Sequence, residues 1–253
     1  MASINLKGLN MPREFEKIVL PDSHTLSEEG AKIFNTSAIE AVNHRGCFTV
    51  AISGGSTPRT MHRLLAKEPH SSQIPWHRIH LFWVDERMVA FDHPHSNFGA
   101  AQKDFLDNVP IALDQVHPMP AMISPDKGVT LYETELKRYF DGLHSHLPRF
   151  DLITLGMGED GHIASLFPGQ HSTASELWVL SVKGGNPNLY RLTLTYFVLN
   201  NARRILFLVS GKNKAKIVKT VFENRQTLLP ASRIQPLNGD ITWLLDRDAA
   251  SLL

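Results

Sequence analysis

In the stretch Leu155-Gly156-Met157-Gly158-Glu159-Asp160-Gly161-His162-Ile163-Ala164-Ser165-Leu166-Phe167-Pro168, seven consecutive residues carry three glycines, two carboxylates and a histidine. An imidazole takes and returns a proton near pH 7, and a carboxylate beside it fixes its tautomer or stabilises its cation. His162 is therefore the candidate general base and acid, with Asp160 as its partner. The chain holds 13 histidines, most of which must serve packing or the surface, so the weight on His162 comes from its glycine-rich acidic loop at the end of an apolar run. The competing reading makes His162 a turn residue and Asp160 the N-cap of a following helix, with Glu159 a solvated carboxylate.

A second segment suits an anion. Val50-Ala51-Ile52-Ser53-Gly54-Gly55-Ser56-Thr57-Pro58 is an apolar strand that breaks into two glycines and two hydroxyl residues before a helix. Gly54 and Gly55 let backbone amides converge on one phosphate, Ser56 and Thr57 add hydroxyl donors, and Pro58 suits the first helical position. An ordinary strand-to-helix connection is the alternative. The G-x-x-x-x-G-K-[ST] spacing of a nucleotide-binding loop is absent, which points to a small phosphorylated metabolite. Arg87, closing Trp83-Val84-Asp85-Glu86-Arg87, offers a planar fork for one oxyanion, against the alternative of a surface salt bridge with Asp85 or Glu86. Lys212 and Lys214 lie at another strand-to-helix turn, where one cation can reach the anion and the other solvates the helix. Asp92, His93 and His95 lack the spacing of a metal site and read as an exposed loop ending at an Asn97 cap.

These residues need a scaffold that brings strand ends together. Apolar runs at 48–52, 79–84, 152–155, 178–182 and 205–209 alternate with helical periodicity at 28–43, 59–66, 97–105, 128–143 and 212–222. That pattern predicts an α/β fold with a mostly parallel twisted sheet flanked by helices, whose ligand crevice lies beyond the carboxyl ends of the strands. The 253 residues are read as one domain, 1–253, without linker or repeat. A Gly/Asn/Pro loop at 183–188 is expected to be mobile. With 26 Lys+Arg against 25 Asp+Glu, no global field favours nucleic acid or a membrane surface. The single cysteine, Cys47, reads as a buried structural thiol. Residues 1–16 show no signal-peptide core and no run is long enough to span a bilayer, so a cytoplasmic protein is expected, of unassigned oligomeric state.

Taken together, Ser53–Pro58, Trp83–Arg87 with Ser96-Asn97, Gly156–Pro168, Arg191-Leu192-Thr193-Leu194-Thr195 and Leu229-Pro230-Ala231-Ser232 resemble the 6-phosphogluconolactonase branch of the glucosamine/galactosamine-6-phosphate isomerase-like family. The resemblance runs from about residue 14 to residue 250. It implies a Rossmann-like fold, no metal or organic cofactor, and hydrolysis of a phosphorylated sugar lactone, with His162 and Asp160 catalytic. It also implies that Gly54, Gly55, Ser56, Thr57, Arg87, Arg191 and Lys214 hold the substrate and its phosphate. Glucosamine-6-phosphate deaminases resemble the same loops, but their pattern after the histidine is Ile-Ala-Phe-Asn-Glu-Pro. This chain has Phe167 in place of that glutamate, and Arg87 in place of the deaminase tyrosine. A deaminase-like enzyme and a non-catalytic sugar-phosphate sensor remain the alternatives; the segment before the first strand is too short for the DNA-binding module such sensors add. Residues 183–190 depart from the family's Lys-Pro-Pro-Pro-Glu approach to Arg191, which leaves the contacts of that loop open.

Overall fold

Phe48–Ile52 forms a strand buried along its whole length, as expected of an apolar run covered on both faces of a parallel sheet. The computed structural model describes residues 15–145, 147–170, 176–223 and 228–253; most of the amino-terminal stretch searched for a signal lies outside them. The first half of the chain contains β1 Glu16–Leu20, α1 Ser23–Arg45, β2 Phe48–Ile52, α2 Ser56–Leu65, α3 His70–Gln73, β3 Ile79–Trp83, β4 Asp85–Arg87, α4 Asn97–Asp104 and β5 Val116–His117. The second contains α5 Pro125–Gly142, β6 Leu152–Leu155, β7 Val179–Gly184, β8 Leu189–Leu194, α6 Tyr196–Leu199, β9 Arg204–Val209, α7 Ala215–Glu223 and β10 Asp240–Asp246.

Seven strands pair in the order β1-β10-β9-β6-β2-β3-β5, every pair parallel. The chain leaves β2 for β3 on one side and later returns to place β6 on the other. The strand order thus reverses between β2 and β6, and it is beyond the carboxyl ends of the strands at such a switch point that open α/β sheets form their ligand crevice. This is the Rossmann-like arrangement expected. A smaller antiparallel sheet, β4-β8-β7, branches from the end of β3, joined by the Leu194 amide donating to the Val84 carbonyl at 2.8 Å. Among the described residues no helix is long and apolar enough to cross a membrane.

Several expectations are corrected by local chemistry. Helix α1 starts five residues before the predicted 28, because Asp22 caps it: its carboxylate accepts from the His24 and Thr25 amides at 2.9 and 2.8 Å. The predicted helix 212–222 divides into a 3₁₀ turn, Lys212–Lys214, and α7. The predicted loop 183–188 is shorter, because β7 runs on to Gly184 and pairs there with Leu189, leaving 185–188 as the hairpin tip. Cys47 is only partly buried. Strands β1, β4, β5, β8 and β10 lie outside the predicted runs; β1 is a sheet edge whose residues are mostly exposed, with only Ile18-Val19-Leu20 as an apolar stretch.

Candidate active site

The glycine turn after β2 leads into α2 at Ser56, with Gly55 as N-cap at φ +97° and the first helical bond running from the Arg59 amide to the Gly55 carbonyl. Pro58 is therefore the third helical residue, not the first; it is still within the turn whose amides have no helical acceptor. Gly54 is required by its neighbour, since a Cβ there would fall 2.0 Å from Asn97 Oδ1. Asn97 is buried and donates its Nδ2 to the Asp85 carbonyl at 2.8 Å and to Asp85 Oδ1 at 3.3 Å. Ser96, rather than Asn97, caps α4. The other Asp85 oxygen accepts from Ser165 Oγ at 2.6 Å. Glu86, also buried, accepts from the Arg87, Asn97 and Phe98 amides and from Ser96 Oγ, so both acids before Arg87 are engaged in fixing loops. Burial raises the Glu86 pKa, against the pull of those amide donors.

Across the crevice, the Gly156 amide donates to Ser53 Oγ at 3.2 Å, tying the β6 loop to the β2 loop. His162 Nδ1 lies 2.6 Å from Asp160 Oδ1, and the His162 amide donates to the same oxygen at 3.1 Å. Burial opposes the charge on Asp160, but these His162 donors and the nearby imidazole hold its pKa below the usual carboxylate value. An ionised carboxylate only accepts, so the neutral imidazole carries its proton on Nδ1 and its lone pair on Nε2. Gly158 makes this pair possible: a Cβ there would sit 2.0 Å from His162 Nδ1 and 2.6 Å from Asp160 Oδ1. No helix follows His162, which removes the N-cap reading of Asp160. The chain instead turns back through Ala164, at φ +48°, and a bridge between Ile163 and Leu166.

Arg87 and Arg191 are direct partners on β4 and β8, so their side chains share one face. Arg87 donates to the His95 carbonyl at 2.8 Å, while its Nε is buried without a partner. Arg191 is buried and donates from Nε to the Gly184 carbonyl at 3.0 Å. Its pKa is lowered by burial first and by the Arg87 charge second. Among the described residues neither arginine has a carboxylate within 4.0 Å, so the salt-bridge alternative for Arg87 does not hold. Like charges directly opposite on neighbouring strands are destabilising by roughly 0.2–1 kcal/mol, a cost that an anion between them would reverse.

A family profile described as glucosamine-6-phosphate isomerases/6-phosphogluconolactonase matches residues 21–243. The chain belongs to this family. A 6-phosphogluconolactonase from Synechocystis sp. is 40% identical over 242 residues, covering 93% of this chain and 97% of that one. The solved 6-phosphogluconolactonase of Thermotoga maritima superimposes with a TM-score of 0.81 at 28% identity, over 92% of this chain and 100% of that one. A monomeric glucosamine-6-phosphate deaminase reaches the same TM-score at 23% identity, covering 94% of this chain and 100% of that one, which shows a shared fold and leaves the chemistry to the site residues.

Within this lactonase/isomerase-family site, the structure brings together Asp160 with His162 and Arg87 with Arg191. Gly54 packs through Asn97 and Asp85 onto the strand that carries Arg87. Ser56 is exposed and Thr57 partly so; among the described residues neither makes a hydrogen bond to the arginines or to His162. Lys214 lies on the histidine side of the crevice: its pKa is lowered by burial, with Glu159 and Asp160 opposing, and its neighbour Asn213 donates to Glu159 at 2.6 Å. Asn97, Asp85, Ser165 and Phe167 were missed as supports. The only sequence signal for them was their place inside the quoted motifs. No cluster of three or more metal-ligating side chains occurs among the described residues.

Proposed function

We propose that this chain hydrolyses 6-phospho-D-glucono-1,5-lactone to 6-phospho-D-gluconate, the lactone-opening step of the oxidative pentose phosphate pathway. The observation that supports the reading is the 2.6 Å contact between Asp160 and His162 Nδ1, which leaves Nε2 available as the base on the loop that follows β6, beside the sheet's topological switch point. His162 Nε2 takes a proton from water as the oxygen attacks the lactone carbonyl, and the resulting imidazolium is stabilised by Asp160. When the tetrahedral intermediate collapses, the C1–O5 bond breaks and the imidazolium returns its proton to the departing ring oxygen.

Arg87 and Arg191 hold the phosphate, helped by the amides of Gly55, Ser56 and Thr57 and by the Ser56 and Thr57 hydroxyls. Gly54 leaves room for this backbone to be locked by Asn97. Lys214 attracts the anionic substrate from the histidine side. Phosphate binding far from C1 fixes where the carbonyl lies, so anchor energy lowers the barrier as well as KM. Phe167 cannot transfer a proton, which speaks against the deaminase reaction. A cytoplasmic setting belongs to the same reading.

The test is a pH-stat or stopped-flow assay on freshly generated lactone, corrected for spontaneous opening. Enzyme-dependent acceleration is expected, with no ammonia released from glucosamine 6-phosphate. A rate indistinguishable from the spontaneous one would overturn the assignment.

A further inference from the structure

Phe167 stands between the two halves of the site. Its ring centroid is 5.0 Å from that of His162, with the planes tilted by 45°, and the Arg191 guanidinium carbon lies 5.6 Å over the same ring. The residue is only 8% exposed. Its ring is pressed against the hairpin that holds Arg191, since a Cβ on Gly184 would come within 2.9 Å of it. The loop before it is pinned as well: the Ser165 amide donates to Thr193 Oγ1 at 3.2 Å, and Ser165 Oγ donates to Asp85 at 2.6 Å. Phe167 therefore cannot shift without moving strand β8 or the loop before it.

We infer that Phe167 is a positioning residue that fixes the His162 imidazole relative to the Arg87–Arg191 pair, because one ring touches both. The inference rests on the proposed lactonase reading. Asp160 grips the imidazole at one edge only, through Nδ1, and a single hydrogen bond leaves the ring free to swing about that contact. The Phe167 ring closes off that swing. Arg191 keeps its own hold through the carbonyls of Gly184 and Pro187, so its capacity to bind an anion does not depend on the aromatic ring alone. What the ring adds is the separation between the base and the anion anchor. A substrate anchored by its phosphate then meets Nε2 at a set distance from its carbonyl. The ring also fills with apolar surface the position where the deaminase pattern carries a glutamate, so His162 is left as the proton-transfer group of this loop.

The experiment compares wild type, Phe167→Leu and Phe167→Tyr, all checked for folding by circular dichroism. Phe167→Leu is expected to lower kcat on the phosphorylated lactone by about 10–100-fold, the scale of a misplaced reacting group, while 6-phosphogluconate Kd changes by less than about threefold. Phe167→Tyr, which keeps the ring, is expected to retain most of kcat. Hydrolysis of unphosphorylated gluconolactone should fall less in Phe167→Leu, since no phosphate transmits the position. In parallel, NMR of histidine-labelled protein should show a His162 resonance that moves when 6-phosphogluconate is added to wild type, and that responds weakly in Phe167→Leu. Wild-type kcat in folded Phe167→Leu, equal losses on both lactones, or an unaltered His162 response would overturn the inference. If wild type itself opened no lactone, the functional reading would fail while the resonance comparison still decided the coupling.

Discussion

At the amino end of the sheet Asp151 lies between two arginines, 2.7 Å from Arg45 Nε and 3.2 Å from Arg203 Nε, the latter too skewed for a hydrogen bond, and its second oxygen accepts from the Thr49 amide at 2.9 Å. At the carboxyl end, Arg87 and Arg191 face each other and among the described residues no carboxylate pairs with either. Arginines stand in pairs at both ends, and the difference is whether a carboxylate stands with them. Where one does, Asp151 supplies the counter-charge and ties the starts of β2, β6 and β9 together. Where none does, the folded chain retains two neighbouring cations without a counter-charge, which is what an anion site needs before its ligand arrives. Nearby histidines follow the same division. His117 is bonded through both nitrogens, to His80 Nδ1 at 3.1 Å and to Glu135 at 2.7 Å, whereas His162 has a hydrogen-bond partner at Nδ1 only.

If the division is right, changes at the two ends should separate activity from stability. The largest effect is expected for His162→Asn: kcat on the lactone should drop by about two to four orders of magnitude, with the melting temperature little changed. A folded variant with near-normal kcat would remove the carboxyl end's claim to the chemistry. Asp151→Ala should do the reverse. It strands the Thr49 amide and two arginines, so stability should fall by about 2–3 kcal/mol, seen in urea titration, with kcat unaltered. Loss of kcat at full stability would break the comparison from the other side.

Arg87→Ala sharpens it further. Binding of 6-phosphogluconate should weaken by roughly 1.5–3 kcal/mol, the scale of hydrogen bonds to a charged group, measured by calorimetric titration. Stability should hold or rise slightly, since a like-charge contact is removed, and unphosphorylated gluconolactone should be much less affected. Unchanged product affinity would show that the uncompensated arginines do not read the phosphate.

The smallest effect is a pH dependence carried by the amino end. Burial, and then the neighbouring His117, lowers the His80 pKa from 6.5 to about 4. The unfolded chain therefore binds a proton below about pH 6.5 that the folded chain refuses. Stability is fully present above that value and declines as pH falls towards 4. Because His80 is partly solvated, a loss of only about 1 kcal/mol is expected near pH 5. In His80→Phe the thermal stability profile between pH 7 and 5 should be flatter, while the pH dependence of kcat should match wild type. An identical stability slope in the variant would assign that slope elsewhere.

Much of the site was legible because its chemistry is local. Gly54-Gly55 and Gly158-Glu159-Asp160-Gly161-His162 announce a turn and an imidazole beside a carboxylate within a few residues, and Asp160 with His162 closes a contact two residues apart. The centres of β2, β3, β6 and β9 were legible too, since these buried parallel strands are apolar along most of their length. The starts of α1 and α2 were not, because the Asp22 cap and the Gly55 cap depend on one side chain or one backbone angle rather than on periodicity. Of the antiparallel β4-β8-β7 sheet only β7 was legible, as the run 178–182: β4 and β8 mix charge with apolar residues, as in Asp85-Glu86-Arg87 and Leu189–Leu194.

By itself, the sequence determined which residue types stand at the strand ends, and therefore which chemistry each loop can offer, because strand-to-turn transitions are set by neighbours along the chain. Only the tertiary structure decided which loops meet. The opposition of Arg87 and Arg191 follows from the register of β4 against β8, and the Phe167 ring reaches both His162 and Arg191 only because the turn through Ala164 packs onto the β7–β8 hairpin. Strand register and crossover are fixed by the burial of whole faces rather than by any local run. Uncompensated charge and a shared aromatic wall become visible only once those faces are closed.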